Sequence, residues 1–231
     1  MLLFSSSQAI LDKNIQLFDY EAIAEDVKDP TTGKTKKKRL VAFGKYAGIA
    51  GMIDTLQCLG RRLLASGFST PFLNCSTAYT YYDLDDAKSC IEKVGKHIHS
   101  DGLPMNLEPL VFAFTGNGNV TKGALEIFNL LPHKMVTLEE AKQLKSKSGP
   151  HNCVYGLMVK QDDIVKRTTG SDDEPFDVKH YRCNPSEYES IFASNVAPVT
   201  NVLVNGIYWD ERYPRKLLLL GSTTKQSSCY V

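Results

Sequence analysis

No stretch of this chain approaches the ~20 consecutive apolar residues that a membrane-spanning helix needs, which points to a soluble protein. An excess of one charge is missing too. The 27 basic and 26 acidic residues leave a formal net charge of +1, too little for the overall field to draw nucleic acid or a membrane surface. The six cysteines (Cys58, Cys75, Cys90, Cys153, Cys183 and Cys229) include no C-x-x-C pair. That excludes the usual zinc and redox-dithiol signatures and reads as reduced, intracellular thiols. Met1 to Ser7 holds no basic residue and no long apolar core, so no targeting segment is visible. Asp83, Asp85 and Asp86 suit the positive end of a helix better than a metal, and His97 and His99 have no partner at ligand spacing.

What the chain does have is a strand leading directly into a glycine turn. Leu110 to Phe114 are apolar and β-prone, Gly116 and Gly118 follow, and an amphipathic helix with Leu125, Phe128, Leu130 and Leu131 is expected from about Gly123. A second strand is expected at Met135 to Leu138. Strand, tight turn and helix N-terminus together form an anion-binding arrangement suited to the pyrophosphate of a dinucleotide. The spacing departs from Gly-x-Gly-x-x-Gly because Thr121 stands at the third position. A plain βα turn is the alternative.

Elsewhere, Ser7 can cap a first helix, and a turn at Asp29 to Gly33 delivers Lys34 to Arg39 into a strand at Leu40 to Phe43. Five basic residues in six read as a solvated hairpin rim rather than a nucleic-acid patch. A long helix starts at Gly44, with Ile49, Ile53, Leu56, Leu63 and Leu64 on or near one stripe. Gly48 and Gly51 each weaken it by up to ~1 kcal/mol, which calls for close approach of either a neighbouring backbone or a ligand. A helix at Leu84 to Ile98, one at Leu138 to Leu144, a linker at Lys145 to Pro150 and a strand at Val154 to Val159 follow. Gln161 to Lys179 reads as a surface excursion, and Pro185 to Phe192 as a short helix. Asn201 to Val204 is a strand that either ends on the same rim as Gly116 or turns at Asn205-Gly206 into a hairpin.

Three segments resemble the lysine-ketoglutarate reductase portion of alpha-aminoadipic semialdehyde synthase, within the saccharopine dehydrogenase and alanine dehydrogenase/transhydrogenase superfamily. They are Phe18-Asp-Tyr-Glu21 with Leu40 to Met52, Phe112 to Ala124, and Val204 to Trp209. The resemblance implies an α/β fold: a Rossmann-like doubly wound parallel sheet, incomplete at the C-terminus, with a short piece of a second domain at the N-terminus. Residues 1–39 would be a remnant of the substrate domain with a connecting hairpin. Residues 40–108 would hold the interdomain helix and the start of the nucleotide domain, 109–215 the dinucleotide-binding domain, and 216–231 a divergent tail.

The same resemblance implies NADPH-dependent condensation of lysine and 2-oxoglutarate to saccharopine, by hydride transfer to the imine that they form, and a mitochondrial location. Gly116, Gly118, Asn119, Val120 and Thr121 would face the cofactor phosphates, Asn205 and Gly206 would lie near the nicotinamide, and Tyr46 and Gly48 would sit in the hinge helix. The family's acid–base lysine and histidine lie upstream of its Phe-Asp-Tyr-Glu segment, which begins here at Phe18, so the expectation is a cofactor-binding but catalytically incomplete chain. A non-catalytic module associating with a full-length relative is the alternative. NAD is not excluded, because Glu139 and Glu140 fall about 20 residues past the turn, where an acid would hold a ribose hydroxyl. The same two glutamates suit the first turn of a helix capped by Thr137.

Overall fold

In Val111–Thr115 (β3) all five residues are buried, and alternate side chains serve opposite faces of one sheet. The computed structural model describes residues 8–28, 35–144, 152–168, 176–207, 211–214 and 229–230. Ser7 and the linker expected at Lys145 to Pro150 lie outside them, as do Tyr208, Trp209 and most of the expected tail. The chain forms two units, Met1–Phe43 and Gly44–Val231.

In Met1–Phe43, residues 8–12 are helical, and Asp19 caps a 3-10 turn at Tyr20–Ala22 by accepting from the Glu21 N–H at 2.9 Å. Ala24–Lys28 (β1) and Thr35–Arg39 (β2) form an antiparallel hairpin. Thr35–Arg39 of the basic run therefore form the strand themselves, and the strand expected at Leu40 to Phe43 is not formed. Cross-strand charge explains the shift: Glu25 stands opposite Lys38 and Asp26 opposite Lys37, pairings that favour this register where no apolar face is buried. Among the described residues of this unit none is buried, and a two-stranded hairpin alone is marginal in water.

In Gly44–Val231, β3 lies at the centre of a parallel sheet. Its neighbours are Val154–Val159 (β5) on one side and Val202–Asn205 (β8) on the other; His133–Val136 (β4) lies beyond β5, and Cys229–Tyr230 (β9) adds two residues beside β8. The chain thus runs from β3 to a position two strands away and returns to fill the gap. Phe112 and Phe114 point into a core built with Gly44–Ala65 (α1), Leu84–Asp101 (α2) and Asn119–Phe128 (α3). Their rings meet Phe128 at centroid distances of 5.3 and 5.1 Å. Val111 and Ala113 point the other way, into a second core with Leu138–Leu144 (α4), Tyr181, Tyr188 and Phe192. Helical layers on both faces of a parallel sheet make this an α/β fold of Rossmann-like, doubly wound type.

Several sequence expectations are corrected. The helix after the turn begins at Asn119 rather than Gly123, and the second strand lies at His133–Val136 rather than Met135 to Leu138. Leu64 is 52% exposed. The stretch read as a surface excursion contains buried Ile164 and Val165, and Val165–Arg167 (β6) pairs antiparallel with Tyr188–Ser190 (β7). That pairing also reduces the helix expected at Pro185 to Phe192 to one 3-10 turn at Pro185–Glu187. Local pattern misses both because the apolar residues there pack across the chain, not along a helix.

Glu126 ties three helices together by accepting from Lys45 Nζ of α1 and Lys88 Nζ of α2, each at 2.7 Å. The hydrogen bonds from Lys45 and then Lys88 hold its carboxyl below the ordinary range. A carboxyl depressed in the folded state adds stability that is present above the unfolded value, about 4.3, and is lost as pH falls through the folded value. Glu126→Gln is therefore expected to melt below the parent at pH 7, with the gap closing in acid. A gap unchanged down to pH 2 in thermal melts would refute the role.

Candidate functional site at the glycine turn

The turn after β3 is shaped by one glycine and left open by another. Gly116 has φ +81°, a conformation other residues rarely adopt, and a Cβ there would press on the Gly206 carbonyl at 3.0 Å. Gly118 is the N-cap of α3 and supplies no side-chain acceptor; a Cβ on it would meet nothing within 4 Å. Helical geometry gives the N–H groups of Asn119, Val120 and Thr121 no partner inside the helix. The first turn of bonding begins when the Lys122 N–H donates to the Gly118 carbonyl at 3.0 Å. These three N–H groups and the positive end of the helix dipole belong to the same helix end at which Gly118 leaves open space.

Thr121 accounts for the imperfect glycine spacing. Its side chain is buried, and its hydroxyl donates to the Thr115 carbonyl at 3.1 Å. The Gly206 N–H donates to the same carbonyl at 3.1 Å, and the Thr115 hydroxyl donates to Asn205 Oδ1 at 2.8 Å. A side chain on Gly206 would overlap the Thr121 hydroxyl. The Thr115 carbonyl thus joins β3, α3 and β8, and Thr121 presents only its backbone to the rim. The close helix packing that a third glycine usually permits falls to Gly123, where a Cβ would overlap the Lys45 carbonyl. Gly48 answers it from α1 against the Val120 carbonyl, so backbone packing and not ligand approach explains that glycine.

The structure brings Gly116, Gly118, Asn119, Val120, Asn205 and Gly206 to one rim, with the Thr121 side chain just beneath it. The hairpin alternative for Asn205-Gly206 fails, because β8 runs parallel to β3 with Asn205 in register with Thr115. Tyr46 is exposed on α1. Sequence reading missed the hub residue Thr115, whose signal was a hydroxyl at the very end of a buried apolar strand.

Glu139 and Glu140 are held at their own helix. Glu140 accepts from the Thr137 N–H at 2.7 Å while Thr137 Oγ1 accepts from the Glu140 N–H at 3.2 Å, a capping box. Glu139 pairs with Lys142 at 3.0 Å. Burial pushes the Cys75 thiol up to about 12, unlike an activated nucleophile. Among the described residues, no group of three or more His, Cys, Asp or Glu could hold a metal, and no helix is long and apolar enough to cross a membrane.

No protein-family model matches the chain. It is 42% identical over 215 residues to alpha-aminoadipic semialdehyde synthase of Arabidopsis thaliana, which covers 89% of this chain and 19% of that protein. It is 38% identical over 209 residues to the Mus musculus protein named alpha-aminoadipic semialdehyde synthase, mitochondrial, covering 90% of this chain and 21% of that protein. The Bos taurus protein of that name matches to the same extent. The chain is homologous to one stretch of alpha-aminoadipic semialdehyde synthase. It spans about one-fifth of the length of these curated relatives.

Proposed function

We propose that this chain carries the nicotinamide-dinucleotide-binding part of an alpha-aminoadipic semialdehyde synthase, an oxidoreductase of lysine degradation. The observation that carries the reading is the uncapped N-terminus of α3 at Gly118, open beside the Gly116 turn and the end of β8, in a chain 42% identical to such a synthase. The residues fit the group: backbone N–H donors stand where a pyrophosphate would lie, and a glycine leaves the room it needs. Bound there, the cofactor would supply hydride. NADPH is the proposed form, and lysine and 2-oxoglutarate are the proposed substrates, condensed to saccharopine in the mitochondrion.

The chain's own part is positioning. Gly118 and the N–H groups of Asn119, Val120 and Thr121 receive the phosphates, while Asn205 and Gly206 border the nicotinamide. Residues 109–215 are the dinucleotide domain and residues 1–39 part of the substrate domain. Catalytic incompleteness of this chain alone is proposed with it, because the resemblance puts the family's acid–base lysine and histidine upstream of the segment that begins here at Phe18.

Titrating the purified chain with NADPH and with NADH, following energy transfer from protein aromatics to the nicotinamide, is expected to give saturable binding. Absence of binding for both at millimolar cofactor would defeat the reading. Lysine- and 2-oxoglutarate-dependent oxidation of NADPH by this chain would refute its catalytic incompleteness.

A further inference from the structure

The strand order changes which residue can read the coenzyme's 2′ position. In a doubly wound sheet the adenosine ribose rests beside the glycine-turn strand, against the end of the strand flanking it; an acid there holds a free 2′-hydroxyl, and a cation a 2′-phosphate. By chain order that strand would be β4, whose end leads to Thr137, Glu139 and Glu140. In space it is β5. Both glutamates are moreover engaged, Glu140 in its capping box and Glu139 with Lys142.

The β3–β5 register ends with Thr115 opposite Val159, so Lys160 is the first residue past β5 at the same sheet edge where Gly116 follows β3. Lys160 is exposed. Its backbone is fixed: its N–H donates to Asp163 Oδ2 at 2.8 Å, and the Ile164 N–H closes the turn onto the Gln161 carbonyl at 3.1 Å. Ile164 is buried and the Asp163 carbonyl accepts from Asn195 Nδ2 at 3.0 Å, which anchors the turn to the second core. The Asp163 carboxylate is turned onto the backbone, and Asp162 is the neighbouring exposed acid.

We propose that Lys160, at the carboxyl end of β5, is the specificity residue that selects the 2′-phosphate of NADP(H) over the 2′-hydroxyl of NAD(H). The assignment rests on the dinucleotide reading of the glycine turn. A positioned ammonium meeting a phosphate dianion is worth enough to shift affinity about tenfold or more.

The test is direct titration of the full chain, wild type and Lys160→Ala, with NADPH and NADH by calorimetry, with Lys160→Arg as the charge-retaining control. Wild type is expected to bind NADPH the more tightly. Lys160→Ala should lose about tenfold or more for NADPH with NADH unchanged, and Lys160→Arg should keep the preference. Unchanged NADH affinity also shows that the variant has folded. If Lys160→Ala keeps the wild-type preference, or wild type binds both coenzymes equally, the assignment falls while the binding site stands. If wild type binds neither, the site reading fails and the assignment falls with it. If Glu140→Gln, and not Lys160→Ala, changes the preference, the end of β4 is the determinant and the assignment is wrong.

Discussion

Gly123→Ala is expected to lower stability by about 3 kcal/mol or more, although it adds only one methyl group to a helix that alanine otherwise favours. The added carbon falls on the Lys45 carbonyl, and its next neighbours are the Lys45 carbonyl carbon at 2.9 Å and the Ile49 amide at 3.1 Å. These are backbone atoms of α1 and cannot rotate away. The remaining escape is to separate α1 from α3, which opens a gap beside Ile49, Met52 and Ala124 in a core where all three are buried. Gly48→Ala meets the same obstacle from the other helix, through the Val120 carbonyl.

Gly51→Ala is the control. It lies in α1, as Gly48 does, with nothing within 4 Å of its added carbon, so it should stabilise by up to ~1 kcal/mol. Urea or thermal unfolding distinguishes the two. For a chain of this size the Gly123 variant should melt lower by roughly 6 °C or more. A midpoint within about 2 °C of the parent would show that the helices do not meet as described.

Gly118→Asp is expected to move stability and binding in opposite directions. Aspartate is among the best N-caps, and Gly118 already has φ −77° and ψ −173°, which aspartate adopts freely into open space. Its carboxylate can accept from the N–H groups of the first turn and meets the positive end of the helix dipole, for a gain of about 0.5 kcal/mol. The same carboxylate would occupy the donors assigned to the pyrophosphate and repel it. Losing two or three charge-assisted hydrogen bonds should weaken NADPH binding at least about hundredfold. An unchanged dissociation constant in a folded Gly118→Asp protein would place any nucleotide elsewhere. Lower stability with intact binding would contradict both halves of the argument.

Much of the α/β alternation is legible in local pattern. The buried run Leu110 to Phe114 carries no polar break and therefore belongs to a strand covered on both faces, as β3 is. The stripe of Ala87, Ile91, Val94 and Ile98 reads correctly as the buried side of α2, with Asp83 capping it by accepting from the Asp86 N–H at 2.8 Å. The site was legible to the level of which segments meet. Residues 116–118 and 205–206 each look like strand ends, and strand ends of a parallel sheet share one edge.

Other features could not be read locally. The run Lys34 to Arg39 reads locally as a rim because the strand character of Thr35–Arg39 depends on Glu25 and Asp26 across the hairpin. Gly48 fits ligand approach and packing equally well in sequence, and the Val120 carbonyl of α3 against it decides for packing. Thr121 departs from the motif in sequence, and only the bond of its hydroxyl to the Thr115 carbonyl gives the departure a reason.

Periodicity, capping and the glycine turn act over a few residues, so composition and spacing along the chain suffice to set most of the core helices and strands and to mark the turn after β3. Strand order, the hub at Thr115 and the choice between Glu140 and Lys160 depend on residues tens of positions apart. Burial of two helical layers against one sheet fixes the strand order, placing β5 rather than β4 beside the glycine turn, and the assignment of Lys160 is proposed from that order. That is why the acidic residues that spacing pointed to lie one strand away from the turn they were read against.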